Sequence, residues 1–217
     1  DGAVYSYMSM NVYGPGALDI TAENEGLDTE LHLTVNGGDI AIRSQDDGIN
    51  TNEDGVSVTT VNGGTLHIIA GLSAEGDGID SNGSITMTGG TVFVSGPVSG
   101  GDGAIDFETD MTMTGGSILA LSSRGMMEYP STQHYYTTSI SANAGDFIAV
   151  CDADGNVLMG MQTQKAVSDV VYYGDQMDNC QLIVDGTYSG TLSDDGTATD
   201  GTVSGGTVAD SFQLTDG

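Results

Sequence analysis

A repeat of about 26 residues is the feature that most constrains the fold of this chain. Gly-Gly pairs recur at that interval at Gly37-Gly38, Gly63-Gly64, Gly89-Gly90 and Gly115-Gly116. Apolar and polar residues alternate on both sides of each pair, which predicts two short β-strands that meet at the glycines. Glycine at such a corner permits a positive φ or a close approach between backbones. A fixed interval of this length is typical of a repeat architecture.

Apolar residues fall into columns when the chain is aligned by this interval. A short apolar element between the repeats adds a third strand to each coil. Three short strands in each repeat predict a parallel β-helix, whose coils stack about 4.8 Å apart. A β-sandwich with coincidental spacing is the alternative, and the matching columns argue against it. The columns are Val35, Val61, Met87 and Met113; Ile40, Leu66, Val92 and Ile118; and, in the short element, Leu27, Ile49, Ile79 and Ile105.

The predicted fold class is therefore all-β, with coils of about 26 residues. We expect one domain over residues 1–190, with regular coils at about 14–122 and irregular coils at 139–190, where the Gly-Gly corners are absent. Residues 123–138 are expected to form a long loop. Residues 191–217 are rich in Gly, Thr, Ser and Asp, which predicts a polar tail or a final coil.

The charge of the chain excludes several classes of partner. It has 31 Asp and Glu residues but only Arg43, Arg124 and Lys165 as cations, a formal net charge of −28. Binding to nucleic acid or to an anionic membrane surface requires basic residues, so neither partner is expected. No apolar run is long enough for membrane insertion. We expect a monomer, and this composition suits a secreted or cell-surface protein.

Acidic and amide side chains flank the short element in every coil. Positions one and three residues after an inward residue point outward from a strand. Carboxylates stacked about 4.8 Å apart repel each other by about 3 kcal/mol per pair. Ca²⁺ accepts six to eight oxygen ligands, including carboxylates and Asn side chains, and would relieve this repulsion. The pattern therefore predicts more than one Ca²⁺ ion, with ligands among Asp28, Asp46, Asp47, Asn50, Asn52, Asp77, Asp80, Asn82, Asp102 and Asp106.

An alternative interpretation of these positions needs no metal, because Asp and Asn also suit loop conformations at coil corners. An inserted residue, Ala104, displaces Asp102 by one position from the other acids. The three histidines, His32, His67 and His134, share no metal-ligand spacing, so a zinc site is not predicted.

Three further residues of the long repeat segments are candidates for ligand binding. His67 and Phe93 share an outward column and would stack on a sugar ring, although burial under the C-terminal segment is an equal alternative. Arg43 is the only cation inside the regular coils, and we expect Asp46 and Asp47 to hold it in an ion pair.

The two cysteines are predicted to form a disulfide. The interval between Cys151 and Cys180 is close to one coil length. Stacked positions in neighbouring coils would bring their Cα atoms within disulfide range.

The segment Asp77-Gly78-Ile79-Asp80, followed by the corner at Gly89-Gly90, resembles a known family. This is the secreted bacterial carbohydrate-binding β-helix family, once a domain of unknown function and similar in fold to pectate lyases. The motif recurs at Asp47-Gly48-Ile49-Asn50 and loosely at 102–106. The resemblance covers roughly residues 5–190. It implies a right-handed parallel β-helix, bound calcium, and binding of cellulose-like or acidic, pectin-like polysaccharide without established catalysis.

The predicted function is non-catalytic, calcium-dependent binding of polysaccharide at the bacterial cell surface or outside the cell. One alternative is a polysaccharide lyase on the same scaffold. Such a lyase needs an Arg or Lys base, and Arg43 is the only cation inside the regular coils. The other alternative is a structural or adhesive surface protein, which the sequence leaves open.

Overall fold

The computed structural model describes residues 2–73, 75–98, 100–123, 125–131 and 134–213. The described residues form β-strands and no helix. None of them builds a helix with the length and apolar character needed to cross a membrane. In chain order the strands are β1 (Val4–Ser6), β2 (Ser9–Val12), β3 (Ala17–Ala22), β4 (Leu27–Thr29), β5 (His32–Ser44), β6 (Ile49–Thr51), β7 (Val58–Ile69), β8 (Ile79–Ser81), β9 (Ser84–Ser95), β10 (Ile105–Phe107), β11 (Asp110–Ser122), β12 (Tyr136–Ala142), β13 (Phe147–Cys151), β14 (Val157–Gln162), β15 (Val167–Tyr173), β16 (Cys180–Val184), β17 (Thr187–Ser189), β18 (Thr197–Ala198), β19 (Thr202–Ser204) and β20 (Thr207–Phe212).

Strands β4 to β11 form about four turns of a β-solenoid. Each turn contains a strand of 3 residues followed by a long strand of 12 or 13 residues. The short-strand sheet has the order β1-β4-β6-β8-β10, and β5, β7, β9 and β11 stack side by side in the long-strand sheet. All of these neighbours are parallel. The all-β class and the solenoid with stacked parallel strands are therefore confirmed.

The Gly-Gly pairs bend each long strand instead of separating two short strands. The second glycine of every pair has a positive φ, for example 107° at Gly38 and 91° at Gly64. A Cβ atom added to Gly64 would lie 2.7 Å from the carbonyl oxygen of Gly38 in the preceding turn. Both the φ value and this close approach require glycine, and the chain continues through the corner as one strand.

The step between stacked residues differs on the two sides of the solenoid. In the long-strand sheet Leu33 pairs with Thr59, and Thr59 pairs with Ile85, which is the same step that separates the Gly-Gly pairs. In the short-strand sheet the step from β4 to β6 is shorter than this and the step from β6 to β8 is longer, because the loops that connect the turns differ in length. The apolar residues of these short strands are nevertheless all buried in one core, namely Leu27, Ile49, Ile79 and Ile105.

The C-terminal third departs from the predicted irregular coils. Strand β15 pairs antiparallel with both β11 and β12. Strands β18, β14, β13, β16 and β20 form a separate antiparallel sheet, here called the C-terminal sheet. Short connections such as the turn between β13 and β14 produce antiparallel neighbours, so residues 139–190 do not wind as coils. Residues 191–213 likewise fold into strands and are neither a tail nor a coil; residues 214–217 lie outside the described part.

The C-terminal sheet covers the outer face of the long-strand sheet. Val150 and Leu182 pack in one apolar cluster with Phe93 and Leu119 of the solenoid. The two units therefore share a buried interface, and the outward column of the long strands is not free.

The predicted disulfide between Cys151 and Cys180 is wrong, because both residues are free thiols. Cys151 in β13 lies opposite Gln181 in β16. Adjacent residues of a strand point to opposite faces, so Cys180 faces away from Cys151. Cys151 accordingly packs with Ala149 in one cluster, and Cys180 packs with Leu182 in another.

Candidate functional site

The acidic residues of the repeat project from the short-strand sheet. In each short strand the residue after the buried Leu or Ile points outward, and these residues are direct neighbours across the sheet. Neighbouring strands are about 4.8 Å apart, so consecutive side chains are in reach of one another. This outward column contains Tyr5, Asp28, Asn50, Asp80 and Asp106.

A glycine precedes each of the short strands β4, β6 and β8, and the packing around it leaves no room for a side chain. A Cβ atom on Gly48 would overlap Cγ2 of Ile68 and lie 2.5 Å from the carbonyl oxygen of Gly78. A Cβ atom on Gly78 would overlap Cγ1 of Val94. The backbones of successive turns therefore approach closely, and this approach fixes the positions of the acids on either side of the glycine.

Some of the predicted ligands use their oxygens to join adjacent turns. Asp47 Oδ1 accepts a hydrogen bond of 2.6 Å from the backbone nitrogen of Asp77, and its Oδ2 accepts one of 3.0 Å from Asn50 Nδ2. Asp28 accepts hydrogen bonds from a backbone nitrogen and from Asn52 Nδ2. These two carboxylates therefore act as links between turns.

Asp77, Asp80 and Asp106 converge on one point of the outer face. Each contributes one carboxylate oxygen, and these oxygens all lie within 4.8 Å of one another. Asp77 Oδ1 also accepts a hydrogen bond of 2.5 Å from the backbone nitrogen of Gly103. The backbone of the following turn thus holds the carboxylate of Asp77 in place.

A fourth carboxylate, Glu128, extends this group beyond the repeat. Its backbone nitrogen donates to the carbonyl oxygen of Ile105 at 2.9 Å, and its Oε2 accepts from the backbone nitrogen of Phe107 at 2.9 Å. These bonds place Glu128 beside Asp106, which adds to the electrostatic field at Glu128. We call Asp77, Asp80, Asp106 and Glu128 the acid cluster. Glu128 could not be found from the sequence, since no residue of the repeat corresponds to it.

Burial and like charge both disfavour ionisation of these carboxylates. Burial is the largest cause and raises the pKa of Asp77 and Asp80 to about 7 and that of Asp47 to about 8. Neighbouring acids contribute to the same shifts. The pKa values of Asp106 and Glu128 are raised for the same two reasons. A bound cation would oppose both effects.

The donor atoms fit a hard divalent cation. Asp77, Asp80 and Asp106 bring carboxylate oxygens within 4.8 Å of one another, and Glu128 lies beside Asp106. Next to Asp80 in the outward column, Oδ1 of Asn50 is buried and has no hydrogen-bond partner among the described residues. Carboxylate and amide oxygens are ligands that Ca²⁺ prefers, and Ca²⁺ tolerates irregular geometry.

The structure therefore brings together three of the ten predicted ligands, with Asn50 beside them. Asn82 donates from Nδ2 to the carbonyl oxygen of Asn52 at 2.8 Å and so joins turns, as Asp28 and Asp47 do. Asp102 leaves the column, because Gly103 takes the register position that Asp77 holds one turn earlier. Asp46 follows the long strand β5 and lies against the backbone of Gly76.

The rings of His67 and Phe93 are covered by the C-terminal part of the chain. Their exposed fractions are 8% and 1%. The rings stack with centroids 5.6 Å apart and an interplanar angle of 3°. Nδ1 of His67 lies 2.9 Å from Oγ1 of Thr197. His67 and Phe93 therefore do not form an open surface for stacking on a sugar ring. The alternative expectation, burial under the C-terminal segment, describes them.

Arg43 is paired with a different acid from the one expected. Its Nη2 lies 3.1 Å from Oδ1 of Asp195, so it is not held by Asp46 and Asp47. The ammonium group of Lys165 donates to the carbonyl oxygen of Ala70. Thus neither cation of the described residues is seen to pair with the acid cluster; Arg124 lies outside them.

Comparison with known families gives one result that bears on function. A family model described as carbohydrate-binding domain-containing protein matches residues 1–212. Searches of curated proteins and of solved structures gave no match. Since the family model spans nearly the whole chain, this protein belongs to the family of carbohydrate-binding domain-containing proteins.

Proposed function

We propose that this protein binds polysaccharide without catalysing its cleavage, and that Ca²⁺ held by the acid cluster makes the binding calcium-dependent. Membership of a carbohydrate-binding family supports a saccharide ligand. The proposal places the protein outside a bacterial cell or on its surface, as its composition suggests.

The single observation that carries the calcium proposal is the convergence of Asp77, Asp80 and Asp106 on one point, with their oxygens within 4.8 Å. Burial raises the pKa of each of these carboxyls, so the site is costly in its ionised form without a counter-charge. Ca²⁺ would supply that charge and would accept Glu128 and the buried Asn50 oxygen as further ligands. More than one ion stays a prediction, which the binding stoichiometry measures.

The charge of the protein also favours a bridging role for the ion. A chain with a net charge of −28 repels an acidic polysaccharide. Ca²⁺ on the outer face of the short-strand sheet would replace this repulsion by attraction at that face. It would also accept uronate oxygens as additional ligands. An acidic, pectin-like chain is therefore the preferred ligand of this face, ahead of a cellulose-like one.

The lyase alternative gains no support from Arg43, which was its only candidate base in the coils. Arg43 lies on β5 of the long-strand sheet and is held by Asp195, whereas the acid cluster lies on the short-strand sheet. A base for proton abstraction would need to face the substrate beside the metal.

Calorimetric titration of Ca²⁺ into chelator-stripped protein tests the metal site. We expect saturable binding that is lost in the double variant D80N/D106N. The control is Asp194→Asn, an exposed acid far along the chain, and it should bind as the wild type does. Absence of calcium binding in the wild type would refute the site.

Co-sedimentation with polygalacturonate and with cellulose, in calcium and in chelator, tests the ligand. We expect retention on polygalacturonate only in calcium, and loss of retention in D80N/D106N. A protein that binds calcium but neither polysaccharide would contradict polysaccharide binding and favour a structural or adhesive role. Release of unsaturated product would restore the lyase alternative.

A further inference from the structure

We propose that the outer edge of strand β12 binds an extended, basic segment of another protein, which adds to the sheet as one more strand. The edge opens on a cleft of about 470 Å³ between β12 and the C-terminal sheet. Ser139, Ile140 and Ser141 line this cleft from β12, and Thr207 and Ala209 line it from β20. The inference is independent of calcium and polysaccharide binding.

Two unpaired sheet edges meet at this cleft. Strand β12 is the last strand of its sheet and pairs only with β15, and β20 is the last strand of the C-terminal sheet and pairs only with β16. Among the described residues, no backbone hydrogen bond is found on the other side of either strand. The two strands are held together by Tyr136 and Phe212, whose rings stack with centroids 3.7 Å apart.

The edge of β12 is open to strand addition. Proteins commonly block such an edge with Pro, charged side chains or bulges. Residues Tyr136–Ala142 contain neither Pro nor a charged residue, and Thr137, Ser139 and Ser141 are exposed. An irregularity in the pairing with β15, between Ser139 and Ala142, is the blocking feature that remains. A polypeptide supplies the regular N–H and C=O groups that pair with such an edge, which a polysaccharide lacks.

The acids of the cleft determine the charge of the partner. Asp146 and Asp185 line it, and none of the described lining residues is Lys or Arg. The backbone nitrogen of Asn143 donates to Asp146 Oδ2 at 2.7 Å, which orients that carboxylate. A second copy of the chain would be repelled, because each copy has a net charge of −28. The charge therefore favours a basic segment of a different protein.

A second cleft predicts the residue pattern of that segment. Its volume is about 350 Å³, and it shares Ile140, Ser141 and Asn143 with the first cleft. Val98 and Val167 are among its other lining residues. Since successive side chains of a strand point to opposite faces, a strand along β12 would place alternate residues toward the two clefts. Basic residues facing the acidic cleft should thus alternate with aliphatic residues facing the second one.

Fluorescence anisotropy with a labelled, capped peptide, Thr-Lys-Val-Lys-Val-Lys-Thr, tests this inference in chelator. We expect saturable binding, with ¹⁵N amide shifts that map to residues 137–143. The same peptide methylated at the backbone nitrogen of each central residue keeps its charges but cannot pair with an edge. It should bind at least about tenfold more weakly. A peptide with Glu in place of Lys should not bind.

Two variants locate the contact, and each has a matched control. Ser141→Lys places a cation on the edge and should weaken binding by at least about tenfold. Ser189→Lys adds the same charge at an exposed strand position outside both clefts, and it should bind as the wild type does. Asp185→Asn should weaken binding about threefold, since an exposed ion pair is lost. Asp194→Asn is its control.

Four outcomes would overturn the inference. They are absence of binding, equal binding of the methylated peptide, equal binding by Ser141→Lys and Ser189→Lys, and a dimer of the protein alone that Ser141→Lys dissociates. The second and third would indicate ionic attraction to the acidic surface in general, and the fourth would make a second copy the occupant. D80N/D106N should bind the peptide as the wild type does, so a failure of the calcium site is recorded separately.

Discussion

Nη2 of Arg43 lies 3.1 Å from Oδ1 of Asp195, a residue 152 positions further along the chain. This ion pair joins strand β5 of the solenoid to the segment that covers His67. The two side chains are 38% and 17% exposed, so the pair is only partly screened by solvent. The contact explains how a chain with very few cations uses one of them to attach its acidic C-terminal segment.

Removing either partner should loosen this attachment. We expect a double-mutant cycle of Arg43→Ala and Asp195→Ala, followed by urea unfolding, to give a coupling energy of about 0.5–1 kcal/mol. The coupling should decrease at high salt because part of the pair is exposed. Pairing Arg43→Ala with Asp194→Ala is the control, since Asp194 is an exposed neighbour. Equal coupling in both cycles would show that the Arg43–Asp195 contact is not specific.

The glycines before the short strands should tolerate no side chain. Gly48→Ala and Gly78→Ala would each force a Cβ atom against Ile68 or Val94 in the long strand of the same turn and against the backbone of the next turn. We expect each variant to lower the free energy of unfolding by at least about 2 kcal/mol. Gly16→Ala is the matched control, because a Cβ atom there would meet nothing within 4 Å. Its unfolding free energy should stay within about 0.5 kcal/mol of wild type. Similar stability for all three variants would contradict the close approach.

Much of the solenoid could be predicted from the sequence because its contacts repeat. Each inward residue contacts its equivalent in the next turn. The repeat therefore predicts that Ile49 and Ile79 are neighbours, as they are. The same spacing identified Asp77, Asp80 and Asp106. Asp80 and Asp106 are paired in register on neighbouring strands, and Asp77 accepts a hydrogen bond from Gly103 in the next turn.

Contacts outside the repeat carried no such signal. Glu128 bonds to Ile105 and Phe107 of the solenoid. Asp195 and Thr197 each reach it through a contact with a residue 152 or 130 positions away. Nothing in the chain recurs at these distances. The alternation of apolar and polar residues along a strand also could not distinguish an outward column that is exposed from one that another sheet covers. The ring of Phe93 is outward in its strand and yet buried, because another sheet packs on it.

The acid cluster should make the metal-free protein more stable in acid. Burial raises the pKa of Asp77 and Asp80 from 3.8 to about 7 in the folded state. Between these values the folded chain binds more protons than the unfolded chain, so the free energy of unfolding falls as pH rises through that window.

In chelator, we therefore expect the melting temperature to decrease from about pH 4 to about pH 7, and calcium to restore most of the loss at the higher pH. D80N/D106N should show a smaller decrease and no effect of calcium. Asp194→Asn should keep the wild-type profile. A wild-type slope in D80N/D106N would mean that other groups cause the pH dependence.

The two cysteines should be recoverable as free thiols without reduction. Since Cys151 and Cys180 point to opposite faces of the C-terminal sheet, a disulfide between them would require the sheet to rearrange. In denatured, unreduced protein, two thiols per chain should therefore react with 5,5′-dithiobis(2-nitrobenzoate), as they do in a reduced sample. The native protein should react far more slowly, because both residues are buried and burial raises the pKa of each thiol to about 11. Absence of free thiol in the denatured, unreduced sample would show that the cysteines are oxidised and that the sheet differs from the arrangement described.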